Sequence, residues 1–491
     1  MKHVRLKAPP LLGFAAIAFT LGLTHPAMSQ EAPAATLPAA TLPAAEGGAT
    51  QAPGGDAPAD AAKPTGFWER DTLTGDWGGV RSTLQDAGIK LGVVETSDLL
   101  ANVTGGAKTG ALYEGLTALT LDLDLEKLSG WTGATIHASA WQIHGRGFSA
   151  NNVKSLMPQS SVEADRGSLL SDLYFEQALF DGAASVRIGQ QAVDDEFIIS
   201  KTATLFVNSN FGYPALPSLD QPSGGPDYPF ATPGVRLKLA PTDQLTVLAG
   251  AFNGDPAGPG AGDPQLRNPS GTAFRFSDGV LAFLEAQYAI NQSKDAEGLP
   301  GTYKLGAWYD SQPFADQHFD RLGLSLADPR SNGVARQHNG DWSIYAIADQ
   351  MLWRRPGTDD QGLSAFARVM GAPADRNLVD FDAAGGFSFK GPLEGRDDDQ
   401  VGLAASYSRI SNRASRLDAD FLRLVPGRPV RDQESSIELT YMAQVTPWWQ
   451  LQPDLQYIVH PGGNAPLPSD PSQRRTIGNA FVIGLRTTVT F

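Results

Sequence analysis

The chain contains no cysteine. That absence excludes a disulfide scaffold, a thiolate metal site, a cysteine nucleophile and an iron–sulfur cluster. Charge is sparse, at 19% of residues, and unbalanced, with 38 Lys+Arg against 53 Asp+Glu in 491 residues. An acidic excess of this size argues against nucleic acid as a partner, because binding its phosphates needs a basic face. Beyond the first thirty residues there is no apolar run of about 18, so no transmembrane helix is expected. Hydrophobic residues reach only 41%, while Gly and Pro are plentiful at 53 and 35. That mix suits polar β-structure with many turns.

The first residues read as an export signal. Lys2, Arg5 and Lys7 precede the short apolar stretch Leu11 to Leu23, and Ala27-Met28-Ser29 supplies a small-x-small cleavage site. Residues 1–29 are therefore expected to be a signal peptide. Residues 30–66 carry no aromatic side chain and repeat Ala-Thr-Leu-Pro-Ala at 35–39 and 40–44. A composition this poor in large apolar groups does not offset the entropy of ordering, so a flexible linker is expected. The remaining domain is 67–491.

Within that domain the dominant signal has period two. Leu119, Leu121, Leu123 and Leu125 alternate with Thr120, Asp122, Asp124 and Glu126. On a strand this places leucines on one face and carboxylates on the other, whereas a helix would scatter them around its circumference. The pattern recurs at Val235–Leu239, Val280–Tyr288, Ile437–Val445, Trp449–Val459 and Phe481–Phe491. Sixteen such segments can be marked, with starts near Ala118, Leu173, Ser343 and Gly386 among them. One of them, Ser343 to Leu352, is apolar on both faces.

The apolar rows end in aromatics such as Tyr113, Tyr288, Trp449 and Phe491, as at membrane interfaces, and the facing rows suit a water-filled lumen. A closed barrel is the β-architecture that satisfies every backbone group in lipid. The expected fold is thus all-β: a transmembrane antiparallel barrel of 16 strands with an aqueous channel and little conventional core. Long loops are expected at 192–233, 253–277 and 311–339. The acidic run Asp397-Asp398-Asp399 reads as a solvated turn among the outer loops.

A family resemblance adds to this. Phe67-Trp68-Glu69-Arg70, then Leu73-Thr74-Gly75-Asp76-Trp77-Gly78-Gly79-Val80-Arg81, resembles the opening of the OprB family of carbohydrate-selective porins. So do Asp172 to Gln177, Val186 to Gln191, Asn210 to Pro214, Gln452 to Ile458 with His460 to Gly463, and Gly484 to Phe491. The resemblance implies an outer-membrane barrel that admits monosaccharides or small oligosaccharides by diffusion, through a constriction lined by charged and aromatic side chains. It implies outer-membrane lipid as surroundings, recognition of Phe491 by the barrel-assembly machinery, and a homotrimer as one possible assembly. No cofactor is expected.

Sugars are neutral and rich in hydroxyls, so guanidinium and carboxylate partners with aromatic faces suit them. By parity, Tyr174 and Glu176 share the polar row of one strand, and Arg187 and Gln191 that of the next. His137, Trp141 and Arg146 extend an earlier row, and Asp194, Asp195 and Glu196 open the long loop where they can fold inward. Two alternatives stay open: a general or cation-biased diffusion porin, and an envelope structural protein tied to the cell wall by the linker. No G-x-S-x-G, H-E-x-x-H or phosphate-loop motif points to an enzyme.

Overall fold

A computed structural model describes residues 66–293 and 296–491. The expected signal peptide and all of the expected linker but its last residue lie outside the described residues. Among them, 16 antiparallel strands close into one barrel, each hydrogen-bonded to its sequence neighbours and the first to the last. They are β1 (Ile89–Gly106), β2 (Gly110–Asp124), β3 (Ala134–Gly145), β4 (Gly167–Leu179), β5 (Ala184–Gln191) and β6 (Thr232–Leu239). Next come β7 (Leu245–Asn253), β8 (Val280–Ile290), β9 (Gly301–Asp320), β10 (Ala335–Arg354) and β11 (Gly362–Gly371). The circuit ends with β12 (Val379–Lys390), β13 (Gln400–Ile410), β14 (Gln433–Thr446), β15 (Trp449–Val459) and β16 (Gly478–Thr490).

Alternation decides which side chains face out. Leu119 is 45% exposed on the outer wall, and Leu99, Leu237, Leu284, Leu403, Leu439 and Leu485 stand on the same surface. The leucine row ends sooner than its period suggests. Asp124 accepts hydrogen bonds from the backbone N–H groups of Glu126 and Lys127, which starts the short helix Leu125–Ser129. Expected starts at Ala118, Leu173, Ser343 and Gly386 fall inside strands that begin at Gly110, Gly167, Ala335 and Val379. Turn-like residues at strand tips hid those extensions.

Both chain ends of the barrel lie at the end with short connections. There Leu73 N–H bonds Thr490 O (2.7 Å), Phe491 N–H bonds Val93 O (2.9 Å), and Arg81 Nη2 donates to Phe491 O (2.8 Å). The other end carries the long loops and is the outer one. The expected loop 311–339 is shorter than its Gly, Pro and Asp content implies. β9 and β10 keep pairing through Asn339↔Pro313 and Gln337↔Ala315, leaving 321–334 as the connection. The run Asp397-Asp398-Asp399 sits in the β12–β13 turn at the short-connection end, not among the outer loops. Asp399 is no solvated turn residue: it is buried, paired with Arg396 (2.8 Å), and accepts from the Tyr441 hydroxyl and Gln444 N–H.

The interior holds more core than the sequence promised. The loops 146–166 and 192–231 fold into the barrel, where Phe148, Val153, Phe197, Ile198, Phe211, Tyr213 and Leu216 are fully buried. Leu248, Phe252, Leu281, Phe283, Trp308, Tyr345 and Ile347 meet the second loop from the wall. This explains why Ser343–Leu352 is apolar on both faces: Ile344 faces outward, while Tyr345 and Ile347 pack against the infolded loop.

Candidate functional site

Three strands and the root of the long loop build a charged cluster on the inner wall. In the ladder, Glu176 of β4 lies beside Arg187 of β5, and Arg187 beside Arg236 of β6. Two arginines side by side require anions on both flanks. Glu176 supplies one, at 3.1 Å from Arg187 Nη2 and 2.9 Å from Arg236 Nη2. Glu196 supplies the other, accepting from Arg236 Nε (2.5 Å) and Nη2 (2.9 Å) and lying 3.6 Å from Arg187. Arg236 also donates to Ser185 Oγ (2.6 Å) and is only 1% exposed.

Arg187 has a second kind of partner. Its guanidinium carbon lies 4.0 Å from the Tyr174 ring centre, a cation–π contact. The Tyr174 ring stacks on His137 (5.0 Å, 24°), and His137 Nδ1 lies 2.6 Å from Asp122. An unbroken row of charged and aromatic groups therefore crosses five strands, from Asp122 on β2 to Arg236 on β6. Asp195 stands over this row, 4.0 Å from Arg187, with 45% of its side chain exposed. Such a surface offers fixed donors, fixed acceptors and ring faces, with the carboxylates of Asp122, Glu176, Asp195 and Glu196 set against the guanidiniums of Arg187 and Arg236.

Tyr174, Glu176, Arg187 and Asp195 are thus brought together. Gln191 is near them in sequence but buried, donating to Gly234 O (3.1 Å). Trp141 faces inward and packs with Leu116, Ile143, Val162 and Tyr228 rather than with the cluster. Arg146 stands apart. It follows β3 with the parity of His144, not of Trp141, and lines a cavity on the outer wall with Leu99 and Tyr113. His137 and His144 point to opposite faces for the same reason.

Glu196, expected to fold inward with the loop root, and Arg236, not singled out as a site residue, complete the cluster. The signal for Arg236 was present: Val235, Leu237 and Leu239 are the outward row, so Arg236 and Lys238 must face in. Its position beside Arg187 depends on strand register, which a single segment does not encode.

Beside this cluster, burial disfavours the charged form of two other carboxyls of the same loop. Asp194 is buried at 3% exposure, and burial, reinforced by the charge of Asp172, pushes its carboxyl up to about 7. Farther along, Asp220 accepts from Leu378 N–H (2.6 Å) and Val379 N–H (3.2 Å), and burial raises its carboxyl well above the usual range.

Comparison with known proteins places this geometry. Porin B of Pseudomonas aeruginosa is 28% identical over 457 residues, spanning 88% of this chain and 93% of that protein. A putative porin, QuiX, of Acinetobacter baylyi is 24% identical over 87% of this chain and 94% of its own length. The high-pH structure of Pseudomonas putida OprB superimposes with a TM-score of 0.77 at 24% identity, covering 87% of this chain and 100% of that one, and shows the same fold. The family model described as "Carbohydrate-selective porin, OprB family" matches residues 108–491. The opening motif at Phe67–Arg81 lies before the matched span. A barrel of this family is a channel rather than an enzyme, and its place is the outer membrane. With a match over most of its length, the chain belongs to the OprB family of carbohydrate-selective porins.

Proposed function

We propose that small neutral sugars cross this barrel passively, and that the row from His137 through Tyr174, Arg187, Glu176, Asp195 and Arg236 is the surface that selects them. The observation that carries this reading is the state of Arg187. One side lies on the Tyr174 ring at 4.0 Å, and its edges face carboxylates of Glu176, Glu196 and Asp195. A pyranose presents hydroxyl edges and an apolar C–H face, so it can use both kinds of group at once. In this reading residues 1–29 direct export, 30–66 form a spacer, 67–491 do the work, and Phe491 marks the chain for the assembly machinery.

The test is conductance in planar bilayers containing the purified barrel. Discrete steps that added monosaccharide blocks, without comparable block by small anions, are the expected result. Steps that ignore sugar and simply favour cations would replace this reading with cation-biased general diffusion.

A further inference from the structure

The outward rows of the strands are apolar nearly everywhere, and the departure is concentrated on β1–β3. Glu95 lies in that outer row, where Thr117 Oγ1 donates to it (2.5 Å), Ser97 Oγ donates to it (2.9 Å) and His144 Nε2 approaches to 3.1 Å. The Tyr113 hydroxyl is 2.9 Å from both Ser97 Oγ and His144 Nε2. A carboxylate and an imidazole facing hydrocarbon are costly in a depth-dependent way. That cost falls if the surface meets polar groups.

Tyr113 connects this network to a cavity of about 490 Å3 toward the outer end, walled by Leu99, Ala111, Arg146 and Arg166. Both arginines are exposed, and neither guanidinium makes a hydrogen bond or salt bridge among the described residues. Of the neighbouring carboxylates, Glu95 is engaged with His144, and Asp165 shares a hydrogen bond with Asp263 while also facing the charge of Arg166. In a chain with 53 acidic and 38 basic residues, two arginines free of hydrogen bonds and salt bridges above an apolar wall offer an anion two guanidiniums over a hydrophobic floor.

We propose that this wall binds a phosphorylated glycolipid of the outer leaflet. Its phosphate is held by Arg146 and Arg166, its sugar hydroxyls meet Tyr113 and His144, and its acyl chains lie along Leu99 and the strand faces below. The charge selects phosphate, the polar network selects a hydroxyl-bearing headgroup, and the apolar floor selects an amphiphile over free phosphate.

Native mass spectrometry of the delipidated full-length barrel in mild detergent tests this, with bisphosphorylated lipid A and its dephosphorylated form as probes. One retained bisphosphorylated lipid is expected, with at least about tenfold weaker retention of the dephosphorylated form. Arg146→Ala/Arg166→Ala should lose the adduct, and Arg146→Lys/Arg166→Lys should keep it. Heat-modifiable migration of each variant confirms that the barrel is folded. Equal retention of both lipids, or undiminished retention by the folded Ala variant, overturns the proposal. So does wild-type protein whose wall instead holds a second copy of the chain, seen as an oligomer that falls apart in the Ala variant.

Discussion

The inner wall of β4–β6 and the inner wall of β8–β15 both carry charged rows, yet they use charge differently. On β4–β6, charges pair laterally with one another and leave Asp195 exposed above the nearly buried Arg187 and its Tyr174 ring partner. On β8–β15, single carboxylates are buried and grip the backbone of the infolded loop. Glu438, fully buried, accepts from Val207 N–H (2.6 Å) and Asn208 N–H (2.9 Å), while Glu285 accepts from Ile198 N–H (3.0 Å). Asp349 accepts from Ser200 Oγ (2.7 Å) and Thr202 N–H (2.9 Å). Arg368 does the converse, donating to the carbonyls of Asn210, Phe211 and Gly212. The lesson is that an inward charge in a barrel is not by itself a pore charge. What separates the two roles is whether its partner is another side chain beside open space or a backbone that needs a partner.

Substitutions can break this contrast. The largest effect is expected from Arg236→Ala, which leaves Glu176 and Glu196 short of a cation in a buried setting, at about 3–5 kcal/mol. Thermal unfolding of the detergent-solubilised barrel measures it, and sugar block should weaken alongside. A change below about 1 kcal/mol would put the cluster on the solvent-screened side of the comparison. Glu438→Ala should follow, at about 1–3 kcal/mol for each stranded N–H. Hydrogen exchange at 206–210 should accelerate and single-channel conductance rise as the loop loosens, with sugar block retained in proportion.

Arg187→Ala should act the other way, with sugar block weakened about tenfold, equivalent to about 1.4 kcal/mol, and barrel stability changed far less than by Arg236→Ala. Unaltered block would make Arg187 a wall strut like Glu438. The most local effect belongs to pH. Asp194 carries a carboxyl raised from 3.8 to about 7, so the folded loop binds a proton that the unfolded chain releases at lower pH. Its contribution to stability is full below about pH 4 and is lost as pH rises through about 7. Hydrogen exchange over 192–198 should therefore quicken between about pH 6 and 8, and Asp194→Asn should remove that dependence.

Much of the barrel is legible in the sequence because strand parity is local. Leu119 and Leu121 face lipid for the same reason that Asp122 faces in, and each neighbour sits one residue away. The count of strands, the long loop after β5 and the inward placement of Glu176 and Arg187 all follow from such short-range patterns. Strand tips were misread where bulges and turn-like residues continue a ladder, as in β9 and β10. Arg146 was grouped with Trp141 although it lies an odd number of residues away, so strict alternation puts it with His144 on the outer face. The expectation of little core failed for a different reason. Phe197, Phe211 and Leu216 look like ordinary loop residues until the opposite wall supplies their partners.

The sequence by itself determined a closed membrane barrel, because a repeat of two is written into every strand and lipid leaves no unpaired edge. It also determined that charge would face inward. Only the tertiary structure decided which of those charges meet. Arg187 finds Arg236 through register between strands separated by a long loop. Val207 finds Glu438 across a gap of 231 residues, where neither residue's neighbourhood carries a trace of the other. Local periodicity fixes the face of a side chain, but loop closure across the barrel fixes its partner.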